Sequence, residues 1–201
     1  MQKVRAEKEK LRSYRAVIHL GAPAGPRFVQ LATPELPEVV VNDNADFALG
    51  FDERPYRALQ SWEDLYRDAY AVNLQDGSRR LLARKLRGMP LLSPGGRYVT
   101  AFRPEHKQWM AWRTRDGSER ALTAAIRGEH FENVERDVVE PADAYGQVGW
   151  LAEDRAVVLN AQHHLWSVDP ESLRARRLTQ GVDRPQAVSY THLTLPTKRI
   201  V

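Results

Sequence analysis

Six side chains in one short stretch carry most of the chemical potential of this 201-residue chain: Arg54, Tyr56, Arg57, Trp62, Tyr66 and Arg67. Guanidinium groups pair with carboxylates through parallel hydrogen bonds and stack on aromatic faces. Arginines and large aromatics at this density suit a patch that contacts a peptide or a neighbouring domain. The same residues have a plainer use, in which Trp62 and Tyr66 cover apolar surface while the charges stay solvated, because large aromatics supply packing area first.

Nucleophilic and metal chemistry find little footing. No serine stands between the glycines of a Gly-x-Ser-x-Gly elbow, and the chain has no cysteine. His163 and His164 are adjacent, so on a strand their rings point to opposite faces and do not share one ion. His106 and His130 fall in loops without a base and nucleophile beside them. No carboxylate pair in an apolar context suggests a glycosidase acid and base. The expectation is therefore no catalytic residue, no metal ligand and no cofactor.

Composition bounds the rest. Thirty Lys and Arg against 26 Asp and Glu give a formal charge of +4, and 42% of residues are apolar, enough for a packed core. Basic and acidic residues are interspersed without a stripe, which gives no support to a nucleic-acid partner. No apolar run approaches the roughly 20 residues that a membrane helix needs. The charged start, Met1 to Arg12, lacks the apolar stretch of an export signal and leaves localisation open.

The elements that would position these residues are strands. A hairpin pattern occurs four times, at 16–32, 69–82, 109–123 and 164–179. Two copies place Asp76-Gly77 and Asp116-Gly117 between strand-like runs, the strongest short-range hairpin signal because the turn needs positive φ. A second hairpin pattern precedes three of them, at 39–49, 89–102 and 148–159, the clearest carrying Ser93-Pro94-Gly95-Gly96, where proline presets φ and glycine relieves strain. Two hairpins in succession make a four-stranded antiparallel unit. Gly77 and Gly117 lie 40 residues apart, near the blade length of about 40–45 in propellers. Longer intervals are expected from insertions at 51–68 and 127–146. Trp109, Trp112, Trp150 and Trp166 fall on predicted strands and are expected to pack within or between blades.

The ends read differently. Residues 1–15 form a charged lead-in with helix-forming composition but only a thin apolar stripe. The run Val188-Ser189-Tyr190-Thr191-His192-Leu193-Thr194-Leu195-Pro196-Thr197 resembles one reading frame of a DNA-tagmentation sequencing adapter, an artefact met at the ends of environmental gene fragments. Residues 188–201 are accordingly expected to be foreign to the fold. Lys198 and Arg199 are the only charges there, so without them the formal charge falls from +4 to +2.

The series Asp52-Glu53-Arg54-Pro55-Tyr56-Arg57, Ser61-Trp62, Tyr66-Arg67-Asp68-Ala69-Tyr70, Leu92-Ser93-Pro94-Gly95-Gly96-Arg97-Tyr98-Val99, Tyr145-Gly146-Gln147-Val148-Gly149-Trp150 and Leu165-Trp166-Ser167-Val168-Asp169-Pro170 resembles the amino-terminal β-propeller of bacterial prolyl oligopeptidase family serine peptidases. Gly95 departs from the acidic residue usual in that turn, and Asn160 to His164 depart from the usual acidic or aromatic run. The resemblance implies an all-β, incomplete propeller of about three to four antiparallel blades over 16–187, without the α/β-hydrolase domain that carries the triad. It implies a catalytically inert chain that gates peptide access to a serine peptidase site, with that hydrolase domain and the peptide substrate as partners, and with Arg54 to Arg67 as a contact for either. The turn pattern alone also fits a non-enzymatic binding or scaffold propeller of TolB or WD-repeat type.

Overall fold

The computed structural model describes residues 12–21, 25–42, 46–134 and 141–179. The lead-in expected for 1–15 falls mostly, and the tail at 188–201 expected to be foreign wholly, outside these residues.

All regular elements among them are strands and short 3-10 turns. Strands β1 (Ala16–His19) and β2 (Arg27–Gln30) make a hairpin. Three four-stranded antiparallel meanders follow in chain order. The first is β3 (Glu38–Val40), β4 (Phe47–Asp52), β5 (Tyr66–Asn73) and β6 (Arg79–Arg87). The second is β7 (Leu91–Leu92), β8 (Tyr98–Arg103), β9 (Gln108–Arg113) and β10 (Glu119–Ala121). The third is β11 (Gln147–Trp150), β12 (Val157–Asn160), β13 (Leu165–Val168) and β14 (Ala175–Arg177). Three whole blades and the two strands of another match the expected count. Each of the seven expected hairpins is present.

The cores lie between sheets. Leu49, Phe51, Ala69 and Leu86 of the first sheet pack against Val99, Ala101, Met110 and Trp112 of the second. Trp109 and Ala111 of the second pack with Val157, Leu159 and Val168 of the third, with Trp150 and Trp166 half-buried at the margin. Val29 and Leu31 of the leading hairpin meet Val39, Ala48 and Val72 of the first sheet. Sheets stacked face to face in chain order, each an up-and-down meander, are the blades of an incomplete β-propeller.

The three outer hairpins close through loops of four residues, longer than the two-residue turn that Asp-Gly suggests. Asn73 N–H donates to the Ser78 carbonyl and Gly77 N–H to the Asn73 carbonyl, and Arg113, Ser118 and Gly117 repeat the pattern. Only the glycines take positive φ, +74° and +78°, while Asp76 and Asp116 each accept the N–H of the serine two residues on. The hairpin at Asp169–Arg174 has the same bonds but puts Leu173, at φ +57°, in the glycine position.

Meander topology sorts the loops by end. Turns joining first to second strands and third to fourth strands share one end, here the turn end. Turns joining second to third strands, and the links between sheets, share the other, the insertion end. The expected insertion at 51–68 shrinks to 53–65, because Phe51 and Asp52 are buried in β4 and β5 starts at Tyr66.

Candidate functional site

The segment 53–65 contains two 3-10 turns, Arg54–Tyr56 and Leu59–Ser61, and is pinned at several points. Arg54 reaches back to Asp52 with Nε on Oδ1 and Nη2 on Oδ2, each at 2.8 Å, and its Nη1 donates to the Pro34 carbonyl at 2.9 Å. The guanidinium holds the Asp52 carboxyl below its ordinary range. Tyr56 donates its hydroxyl to Asp68 at 2.6 Å. Burial first, and that carboxylate second, push Tyr56 up to about 12. Lys85, at φ +49° in an irregular stretch of the β5–β6 ladder, donates its N–H to the same Asp68 oxygen at 2.9 Å. Its ammonium lies 4.7 Å from the centroid of Tyr66, which meets Tyr56 edge to face.

Arg67 is 7% exposed, paired with Glu53 at 2.6 Å and stacked over Phe51. Arg87 pairs with Asp64 and Asp143 and donates to the Pro141 carbonyl, so it ties 53–65 to the second insertion. Arg57 and Trp62 stand apart from this framework. The Arg57 backbone N–H donates to the Arg54 carbonyl, but its exposed side chain has no hydrogen bond or ion pair among the described residues, and Trp62 is 86% exposed. Of the six residues singled out in the sequence, Arg54, Tyr56, Tyr66 and Arg67 thus hold the loop, while Arg57 and Trp62 face outward from it.

The turn end has features that sequence spacing did not reveal. Asp154, 3% exposed, lies in the β11–β12 turn and projects its carboxylate into the Ser93–Arg97 turn of the neighbouring sheet. It accepts from Ser93 Oγ at 2.6 Å, Gly95 N at 3.0 Å and Arg97 N at 3.2 Å. A Cβ on Gly95 would lie 2.8 Å from Asp154 Oδ2, so the close approach of this carboxylate favours glycine there. Asn42 adds a link between the first two sheets by donating to the carbonyls of Leu92 and Ser93 at 3.2 and 3.0 Å.

Beside this clamp lies a cavity of about 440 Å³ between the first, second and third sheets. Its walls include Phe47, Arg97, Tyr98, Arg113, Arg115 and Glu171, with Asp46 at one side. Glu171 accepts from the Tyr98 hydroxyl and pairs with Arg113. Burial, then that carboxylate, push Tyr98 up to about 12.

His163 and His164 sit in the β12–β13 turn, where His164 is buried against Thr179 at 3.1 Å. Among the described residues no group of three or more His, Cys, Asp or Glu is arranged to hold a metal ion. No described helix is long and apolar enough to cross a membrane.

No protein-family model matches the chain, and no curated protein matches it. Solved structures do. A protein assigned as TolB from Agrobacterium tumefaciens is 15% identical, with 84% of this chain and 56% of that one covered at a TM-score of 0.44. Oligogalacturonate lyase in complex with manganese is 15% identical, with 76% and 45% covered at 0.47. TolB from Acinetobacter baumannii is 13% identical, with 82% and 40% covered at 0.36. The chain spans about half the length of these proteins, and the likeness is one of fold alone. On its own sheet order and inter-sheet cores, the chain is part of a β-propeller.

Proposed function

We propose that this chain is a non-enzymatic propeller module that binds another polypeptide through its insertion end, with residues 16–187 as the propeller portion. The observation that carries the proposal is the pairing of an 86% exposed Trp62 with a loop fastened by Asp52–Arg54, Tyr56–Asp68, Glu53–Arg67 and Asp64–Arg87. A tryptophan presented on a fixed loop loses little conformational freedom on contact, and Trp, Tyr and Arg are the side chains that dominate protein interfaces. Arg57, exposed on the same loop, offers a guanidinium to a partner carboxylate. Leu65 and Met89 extend the exposed apolar surface at the same end, with Gly88 N–H on the Leu65 carbonyl keeping them adjacent. Gating of a peptidase site, implied by the sequence resemblance, is a special case in which the partner is a linked hydrolase domain.

A displayed peptide library panned on the protein tests the proposal. Enriched peptides should lose affinity by about 30-fold with Trp62→Ala, the scale of an interface hot spot, and several-fold with Arg57→Ala. Unchanged affinity in both variants, or no enrichment, refutes it.

A further inference from the structure

The cavity at the turn end lies opposite the end assigned above to polypeptide binding and is independent of that assignment. Its volume of about 440 Å³ is within the range of small-ligand pockets, and it is bounded by turns of three successive sheets. Its charges are unevenly spent. Arg113 is committed to Asp116 and Glu171, and Glu171 is committed in turn to Arg113 and Tyr98. Arg97 uses one nitrogen, Nη1, on the Glu153 carbonyl at 3.1 Å, while its Nε and Nη2 have no partner among the described residues. Arg115 is exposed and has no hydrogen bond or ion pair among the described residues. Two guanidinium groups therefore line the cavity with donors to spare, against Asp46 as the one lining carboxylate among the described residues not held by an arginine.

The walls between these charges are aromatic. Phe47 is half-buried, and Tyr98 is fixed by stacking on Trp150 at 5.6 Å with the ring planes 9° apart. The Arg97 guanidinium lies 5.9 Å from the Tyr98 centroid, and its backbone N–H is held by Asp154. The arginine nearest the aromatic wall is thus anchored before any ligand arrives.

We propose that this cavity binds an organic monocarboxylate with an apolar body. The carboxylate is held by Arg97 and Arg115 and the apolar part rests on Phe47, with the buried Tyr98 ring behind Arg97. One surplus positive charge over Asp46 favours a single anionic group, since a second would face Asp46. Two sources supply that chemistry, a free carboxylic acid and the C-terminal residue of a peptide.

Calorimetric titration of the full chain with 3-phenylpropionate, with N-acetyl-alanyl-phenylalanine and with the C-terminal amide of that dipeptide tests the assignment. At least one acid should bind, and the dipeptide amide should bind about tenfold or more weaker than the dipeptide acid, the loss expected for a charge-assisted pair. Arg115→Ala should weaken acid binding by a similar factor, and Arg120→Ala, on an exposed strand outside the cavity, should not. Tighter binding of the dipeptide acid assigns the site to chain termini. Tighter binding of 3-phenylpropionate assigns it to free acids. The proposal is overturned if neither acid saturates by about 10 mM, if the dipeptide acid binds and its amide binds equally well, or if Arg115→Ala leaves acid affinity unchanged.

Discussion

Replacing Asp154 with alanine should uncouple the second and third sheets. The carboxylate serves three donors, Ser93 Oγ, Gly95 N and Arg97 N, at 2.6, 3.0 and 3.2 Å. Ser93 is fully buried, and its oxygen still accepts from Tyr98 N at 3.0 Å, so alanine orphans only the serine proton. Gly95 N is half-buried and loses its partner, while Arg97 N lies at an exposed residue and turns to water. One fully and one partly buried orphan donor, together with a lost charged acceptor, amount to about 3 kcal/mol. Asp154 and the preceding Glu153 both sit at left-handed φ, +51° and +59°. Alanine tolerates that region less well than aspartate, so its backbone offers no relief. Asparagine has one acceptor oxygen. Placed toward Ser93 and Arg97, it turns its amide toward the Gly95 N–H, so Asp154→Asn should cost about half as much as alanine.

Urea unfolding followed by tryptophan emission reads the difference. For an m-value of about 2 kcal/mol/M, Asp154→Ala should lower the midpoint by about 1.5 M, and amide exchange at Gly95 should accelerate with it. A midpoint within about 0.3 M of the parent, with exchange at Gly95 unchanged, would refute the clamp.

Two further outcomes follow from local geometry. Leu173→Gly should stabilise the third sheet by about 0.5–1 kcal/mol, because Leu173 alone of the three matching hairpin positions lacks glycine, and a drop in melting temperature would refute this. Tyr56 and Tyr98, both raised to about 12 from an ordinary 10, should stay protonated at pH 11, where a free tyrosine is ionised. Their folded pKa exceeds the unfolded one, so the stability they contribute is complete below pH 10 and disappears as pH rises from 10 through 12. Tyrosinate absorbance titration checks it, and a single transition of all tyrosines near 10 would contradict it.

Strand pairing was legible in the sequence because its signals are local. Alternating runs on either side of Asp76-Gly77, Ser93-Pro94-Gly95-Gly96 and Asp116-Gly117 place each hairpin within a dozen residues. Contacts between sheets have no such signature. Asp154 meets Gly95 from 59 residues away, through a turn whose own residues, Ala152-Glu153-Asp154-Arg155, have poor turn chemistry. Leu173 also hides its backbone state, since no leucine announces a left-handed φ. The aromatic-basic stretch was legible as a cluster, but its division into loop fasteners and outward-facing groups depends on Asp68, Glu53 and Asp52, which only the fold brings under Tyr56, Arg67 and Arg54.

The links at the turn end fix where the stack is stiff. Asn42 joins the first sheet to the second, and Asp154 joins the second to the third, both across adjacent turns at the same end. Any fanning of the sheets must then pivot about that laced seam, and its amplitude is greatest at the far end, between 53–65 and the second insertion. Arg87 spans this opening with Asp64 on one side and Asp143 and the Pro141 carbonyl on the other, so it acts as a strap across the mouth of the fan.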